Sequence, residues 1–133
     1  MTRHDSREQA FILLFEQSFA EPETSIEEIL EIAQTERQIK ISNFTKNIFN
    51  GVAEHREEID NRIESFSNKW SIQRLSRVAA ALLRMATYEM LFCEETPDGV
   101  AINEAVELAK QYGGEDDASF INGILGSISR SEG

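Results

Sequence analysis

The residues of this chain whose types and spacing promise chemistry are arginines placed in register on helices. Arg3 and Arg7 are four apart and Arg74 and Arg77 three apart, so each pair is expected to share one helical face. From Ser65 through Tyr88 the basic residues Lys69, Arg74, Arg77 and Arg84 occur without an Asp or Glu, whereas Glu21 to Glu31 holds five acids and no base. A guanidinium presents a forked donor set to a phosphate, and a helix N-terminus adds exposed amides, so the chemistry on offer is anion binding. The same arginines also suit surface pairing with glutamates, and spacing leaves the two readings level.

Catalysis finds no such support. His4 lies at the N-terminus and His55 among charged residues, neither with converging partners at motif spacing. No Gly-rich phosphate loop, HExxH or Gly-x-Ser-x-Gly pattern occurs. Glu27-Glu28, Glu57-Glu58 and Glu94-Glu95 read as solvated helix faces or ends, and Cys93 as a small hydrophobe closing an apolar helix. A single cysteine permits neither an intramolecular disulfide nor a thiolate cluster for zinc, and fits a reducing cytoplasm. The expectation is a protein that is not an enzyme and needs no cofactor or metal.

At 133 residues with 41% apolar content, the chain suits one domain spanning 1–133 with a real core. Its formal charge of −11 argues against a coat for nucleic acid, which depends on many cations neutralising phosphates, so any RNA contact must be local. No stretch approaches the roughly 18 apolar residues of a membrane span. Met1 to Ser6 leads straight into an amphipathic segment, without the apolar core and cleavage site of a signal peptide, so secretion is not expected.

The elements that must position these side chains read as helices nearly throughout, and the fold class is all-α. Helix one is expected to start at Asp5 or Ser6 as cap, bury Ala10, Phe11, Leu14 and Phe15, and close at Phe19 before Pro22. Ser25 to Glu28 reads as a capping box ahead of Ile26, Ile29, Leu30 and Ala33. Ile41, Phe44, Ile48 and Val52 mark a third helix; Ile59, Ile63 and Phe66 mark a fourth. Ser71 to Phe92 is the longest candidate and the expected spine, with Leu75, Val78, Ala79, Leu82, Leu83, Ala86 and Met90 inward. Thr96-Pro97-Asp98-Gly99 predicts a reversal, Val100 to Tyr112 a sixth helix burying Ile102, Ala105, Val106 and Ala109, and Gly113-Gly114 an αL stop. A seventh helix opens on Glu115-Asp116-Asp117, with Phe120, Ile121, Ile124, Leu125 and Ile128 apolar, and Gly123 and Gly126 suggest a closely approaching neighbour. Any division, near Phe66 to Ser71, is into subdomains of roughly 1–67 and 68–133 sharing one core.

The C-terminal third carries more specific information. Val100-Ala101-Ile102-Asn103-Glu104-Ala105, then Glu107-Leu108-Ala109-Lys110, then Phe120-Ile121-Asn122-Gly123-Ile124-Leu125 resembles the NusB family pattern V-A-I-N-E-A, E-L-A-K, F-[VI]-N-G-[VI]-L. Upstream, Leu83-Arg84-Met85-Ala86-Thr87-Tyr88-Glu89-Met90-Leu91 is similar to the family's L-R-x-A-x-Y-E-L, and Arg7-Glu8-x-Ala10 to its R-E-x-A start. The resemblance implies a NusB-like fold of about seven helices in two packed helical subdomains, without catalysis. It further implies binding to single-stranded boxA RNA with NusE, a small-subunit ribosomal protein, within an RNA polymerase antitermination complex on ribosomal RNA operons. Monomer and homodimer both stay open, as does a purely protein-interacting module with this fold. The RNA-binding domain of a larger rRNA methyltransferase is disfavoured by a chain ending at Gly133.

By motif position, the resemblance places Arg3, His4 and Arg7 in an RNA-contacting arm, with Phe15 as a stacking ring where many members have tyrosine. Asp116 and Phe120 stand in the stretch that meets bases, one accepting from exocyclic amines and the other stacking, with helix capping and core packing as their alternative uses. Arg74, Arg77 and Ala79 mark the partner-binding region. Asp5 and Glu8 offset Arg3 and Arg7, so weaker binding alone and reliance on a partner are expected. Arg7→Ala, read as removing an exposed first-turn charge, is expected to weaken RNA binding with little effect on folding. The positive arm and Phe120 are expected to converge on one groove.

Overall fold

A computed structural model describes residues 2–19, 25–37, 40–68 and 70–132. The helix stop expected at Pro22, the acids Glu21 and Glu23, and Lys69 of the basic run lie outside the described residues. Within the described residues the chain is built from seven α-helices and one 3-10 turn, with no strand.

Helix α1 (Arg3–Gln17) begins earlier than its sequence pattern indicates. The Thr2 hydroxyl accepts from the Asp5 amide at 3.0 Å, and the Asp5 carboxylate accepts from the Thr2 amide at 3.4 Å. This reciprocal pair makes Thr2 the cap and moves Asp5, the expected cap, into the first turn. Helix α2 (Ile26–Thr35) is capped by Ser25, as its sequence suggests, and α3 (Asn43–Glu54) by Ser42, each hydroxyl accepting an amide at 3.1 Å. Helix α4 (Arg56–Glu64) follows after His55, whose ring stacks on Phe92 at 4.1 Å and 17°.

Helix α5 (Arg77–Phe92) corrects the largest sequence expectation. Residues Ile72–Arg74 form the 3-10 turn, Leu75 is extended, and the Ser76 hydroxyl accepts from the Ala79 amide at 3.0 Å to start the helix. The Glu64 carboxylate takes the Ile72 amide at 2.7 Å, so a side chain satisfies a donor that a continuous helix would otherwise use. Arg74 and Arg77 therefore do not share a helical face. The shortened α5 is still the spine: it packs against α1, α3, α4, α6 and α7 and is buried from Ala79 to Glu89 except at Arg84. Its Tyr88 ring occupies the space a Cβ would take at Gly51, 2.2 to 2.4 Å away, so glycine there lets α3 close on α5.

Helices α6 (Asp98–Tyr112) and α7 (Glu115–Glu132) complete the fold. Pro97, at φ −62°, is the cap of α6, and Gly99 is helical instead of a turn residue at positive φ. The stop after α6 is not αL either. The Gly113 and Gly114 amides both donate to the Ala109 carbonyl, at 2.8 and 2.9 Å, with negative φ throughout. A Cβ at Gly113 would meet the Asp117 carboxylate at 2.5 Å, so a side chain there would make that carboxylate shift. Gly123 and Gly126 mark no approaching helix, since a Cβ on Gly123 meets nothing within 4 Å and one on Gly126 meets only the Arg130 side chain. Among the described residues no helix is long and apolar enough to cross a membrane, and no three His, Cys, Asp or Glu side chains cluster as a metal site.

Candidate nucleic-acid interface

Arg7 is 5% exposed and turned inward from α1. Its Nε donates to both oxygens of Glu89 at 3.0 Å, and Nη2 lies 2.9 Å from Oε1; Glu89 itself is 0% exposed on α5. Burial pushes the Glu89 carboxyl up, and the hydrogen bonds and charge of Arg7 pull it back down. The expectation of an exposed first-turn charge at Arg7 is thus corrected. This face of α1 lies against α5, and the guanidinium is engaged within the fold.

The rest of the arm is exposed. The Arg3 guanidinium lies 4.1 Å from the Phe44 ring centroid and makes no ion pair among the described residues. His4 Nδ1 lies 2.7 Å from Glu104 on α6, and that hydrogen bond raises the His4 pKa. Glu8 accepts from the Tyr112 hydroxyl at 2.5 Å and from Gln111 at 3.1 Å, which pushes the Tyr112 phenol up to about 12. Arg3, Arg7, Phe44, Asn47 and Thr96 line a concavity of about 380 Å³. Cys93 on its wall is half-buried, and burial followed by Glu89 and Glu95 pushes its thiol up, which disfavours a reactive thiolate.

At the other end of α1, Phe15 is half-buried, 6.0 Å from Phe11 and 5.1 Å from Phe19. Arg77 is exposed but engaged: its guanidinium lies 4.2 Å from the Phe19 centroid and donates to the Ser18 carbonyl beyond the helix end. Arg84 takes the surface-pairing alternative, donating to Asp60 at 2.9 and 3.1 Å. Ala79 is 1% exposed, so its methyl offers a partner little surface. Arg74 is exposed and makes no ion pair among the described residues.

Phe120 is 36% exposed, which decides between core and surface in favour of surface, and Asp116 is exposed one turn earlier on α7. Phe120, Arg74, Ser76 and Asp117 line a second concavity, of about 250 Å³, together with Trp70, which is 53% exposed. Trp70 was not among the residues singled out from the sequence. Its signal was there: one indole in the polar run Ser67-Asn68-Lys69-Trp70-Ser71, outside any apolar periodicity.

The two concavities share no lining residue. Arg7 meets α5 at Glu89 and the second concavity opens at Ala79, about ten residues and so about 15 Å back along the axis. The arm and Phe120 thus line different concavities. A larger, shallow concavity of about 520 Å³ lies over α4, where Glu54, Glu57 and Glu58 would repel a polyanion.

The NusB family pattern matches residues 4–130. The transcription antitermination protein NusB of Clostridium novyi is 40% identical over 132 residues, covering 96% of this chain and 98% of that relative. NusB of T. maritima superposes with a TM-score of 0.85 at 36% identity, over 98% of this chain and 92% of that one. A crystal structure of antitermination factors NusB and NusE in complex with dsRNA superposes with a TM-score of 0.83 at 28% identity, over 98% and 99%. Fold, motif and near full-length similarity agree, and the chain belongs to the NusB family.

Proposed function

We propose that this chain is a non-enzymatic transcription antitermination factor that binds single-stranded boxA-type RNA with NusE and supports RNA polymerase on ribosomal RNA operons. The observation carrying this reading is the near full-length similarity to a NusB seen with NusE and RNA. In this reading Arg3 contacts phosphate, His4 adds a cation when protonated, and Phe120 stacks on a base while Asp116 accepts from an exocyclic amine. Phe15 offers a ring edge beside Phe19. Arg7 acts through position, holding α1 on α5 beneath Arg3. Arg74, Arg77 and the backbone around Ala79 form the partner region. Titrating boxA-like RNA with and without NusE, at two salt concentrations and against a scrambled control, tests it. Sequence-selective binding that tightens with NusE is expected, and equal affinity for both RNAs in every condition removes the reading.

One observation favours a second reading, a protein-interaction module of the same fold. His4 and Arg7 each face a carboxylate, so Arg3 is the one of the three arm cations without an ion pair among the described residues. In that case NusE binds at full strength while RNA adds nothing.

A further inference from the structure

We infer that Trp70 is a base-stacking residue and that the concavity between it and Phe120 holds one unpaired RNA base; this rests on the RNA-binding reading above. Trp70, 53% exposed, and Phe120, 36% exposed, line one concavity, and large rings grouped on a surface, unlike apolar residues scattered singly, mark a binding site. Here the fold presents the indole deliberately. The Ser67 hydroxyl, on a buried serine, donates to the Trp70 carbonyl at 2.6 Å, and the Trp70 amide donates to the Ser67 carbonyl at 3.1 Å. Asn68 holds φ at 54°, a left-handed conformation that asparagine tolerates better than most residues and that turns the chain sharply at this point. The Trp70 amide and carbonyl are thus both tied to Ser67.

The concavity has the chemistry of a base site. Two aromatic side chains line it, and every base offers a π-face to such rings. Its volume of about 250 Å³ is below the roughly 300–1,000 Å³ of pockets for drug-sized ligands, which suits a single planar ring system. Asn68 and Ser76 supply donors and acceptors, and Asp117, whose carboxylate accepts from Ser76 at 3.4 Å, can take an exocyclic amine. Arg74, placed above in the partner region, is here given to the phosphate of a bound nucleotide at the rim of the concavity, which leaves Arg77 to the partner, on a chain of net charge −11. Asp117 is hydrogen-bonded to Ser76 while Arg74 makes no ion pair among the described residues, and such a cation beside stacking rings favours nucleic acid over an acidic protein, which would not need the rings, and over a basic one, which Arg74 would repel.

Trp70 is the only tryptophan of the chain, so its emission reports this site directly. Wild-type protein is titrated with boxA-like RNA, alone and with NusE, while labelled-RNA anisotropy measures affinity independently. The expected result is saturable quenching of Trp70 with the same midpoint as the anisotropy curve. Trp70→Ala should weaken RNA binding by about 5- to 100-fold, and Trp70→Phe by far less, since stacking on one ring has that range of worth. Unchanged emission together with full affinity of Trp70→Ala would overturn this inference and leave the antitermination reading standing. An emission change caused by NusE alone, with no further response to RNA, would also overturn it and assign the concavity to the protein interface. Absence of RNA binding in every condition would overturn both.

Discussion

Replacing Arg7 by alanine should unfold this protein far more readily than an exposed first-turn charge could explain. The substitution leaves Glu89, 0% exposed, without the guanidinium that donates to both of its oxygens at 3.0 Å. Removing one member of a buried ion pair typically costs about 3–5 kcal/mol, because the other charge stays desolvated and unpaired. A second route to the number agrees. If Glu89 escapes by protonating, holding a carboxyl neutral about three pH units above its ordinary titration costs about 4 kcal/mol. Against a typical total stability of roughly 5–15 kcal/mol, that is about a fifth of the fold or more. The pH dependence follows from direction. Burial already raises the Glu89 pKa, and loss of Arg7 raises it further, so the folded state binds this proton at higher pH than the unfolded state. Stability contributed by the neutral form is therefore present at low pH and lost as pH rises through the folded value, at up to about 1.4 kcal/mol per pH unit. The defect of Arg7→Ala should shrink on acidification from pH 8 to about pH 5. Urea unfolding followed by circular dichroism checks this, with the Arg7→Leu/Glu89→Leu double variant expected to recover most of the loss. A loss below about 1 kcal/mol, or one independent of pH, would refute the claim that this pair is buried and coupled.

Further outcomes follow from individual contacts. Gly51→Ala should destabilise by about 1–3 kcal/mol, since its methyl would lie inside the Tyr88 ring; urea midpoints of this variant with and without Tyr88→Leu should show partial rescue. His4 should titrate by NMR above a free histidine, and Glu104→Gln should lower it; the accompanying stability is present at low pH and lost as pH rises through the folded value. Tyr112 should ionise near pH 12 by ultraviolet difference absorbance, and Glu8→Gln should bring it down towards ordinary phenol behaviour. Because the neutral phenol is the favoured form, its contribution persists below the unfolded value and disappears as pH climbs towards 12.

Seven helices and their inward stripes were legible in the residues because a helix's pattern is local: side chains three and four apart share a face, and caps act within three or four positions. Ser25 as a cap, the α5 spine and the apolar stripe of α7 from Ile121 to Ile128 all follow from such short-range rules. The family motif was legible too, since it is contiguous. What the residues could not disclose depends on partners far along the chain. Whether Arg7 faces water or Glu89 is settled across 82 positions, and whether Gly51 is a helix breaker or a seat for Tyr88 across 37, because desolvation and close packing exist only once α1 and α3 lie against α5. Asp5 yielded its capping place to Thr2 by a local contest that composition leaves undecided. The exposure of Phe120 and its company with Trp70 and Arg74 are likewise products of the assembled end of the bundle, where a 3-10 turn replaces the helix that periodicity alone suggests. Local sequence thus determined which segments are helices and which family they resemble, and tertiary packing decided which charges are neutralised inside and which rings remain exposed.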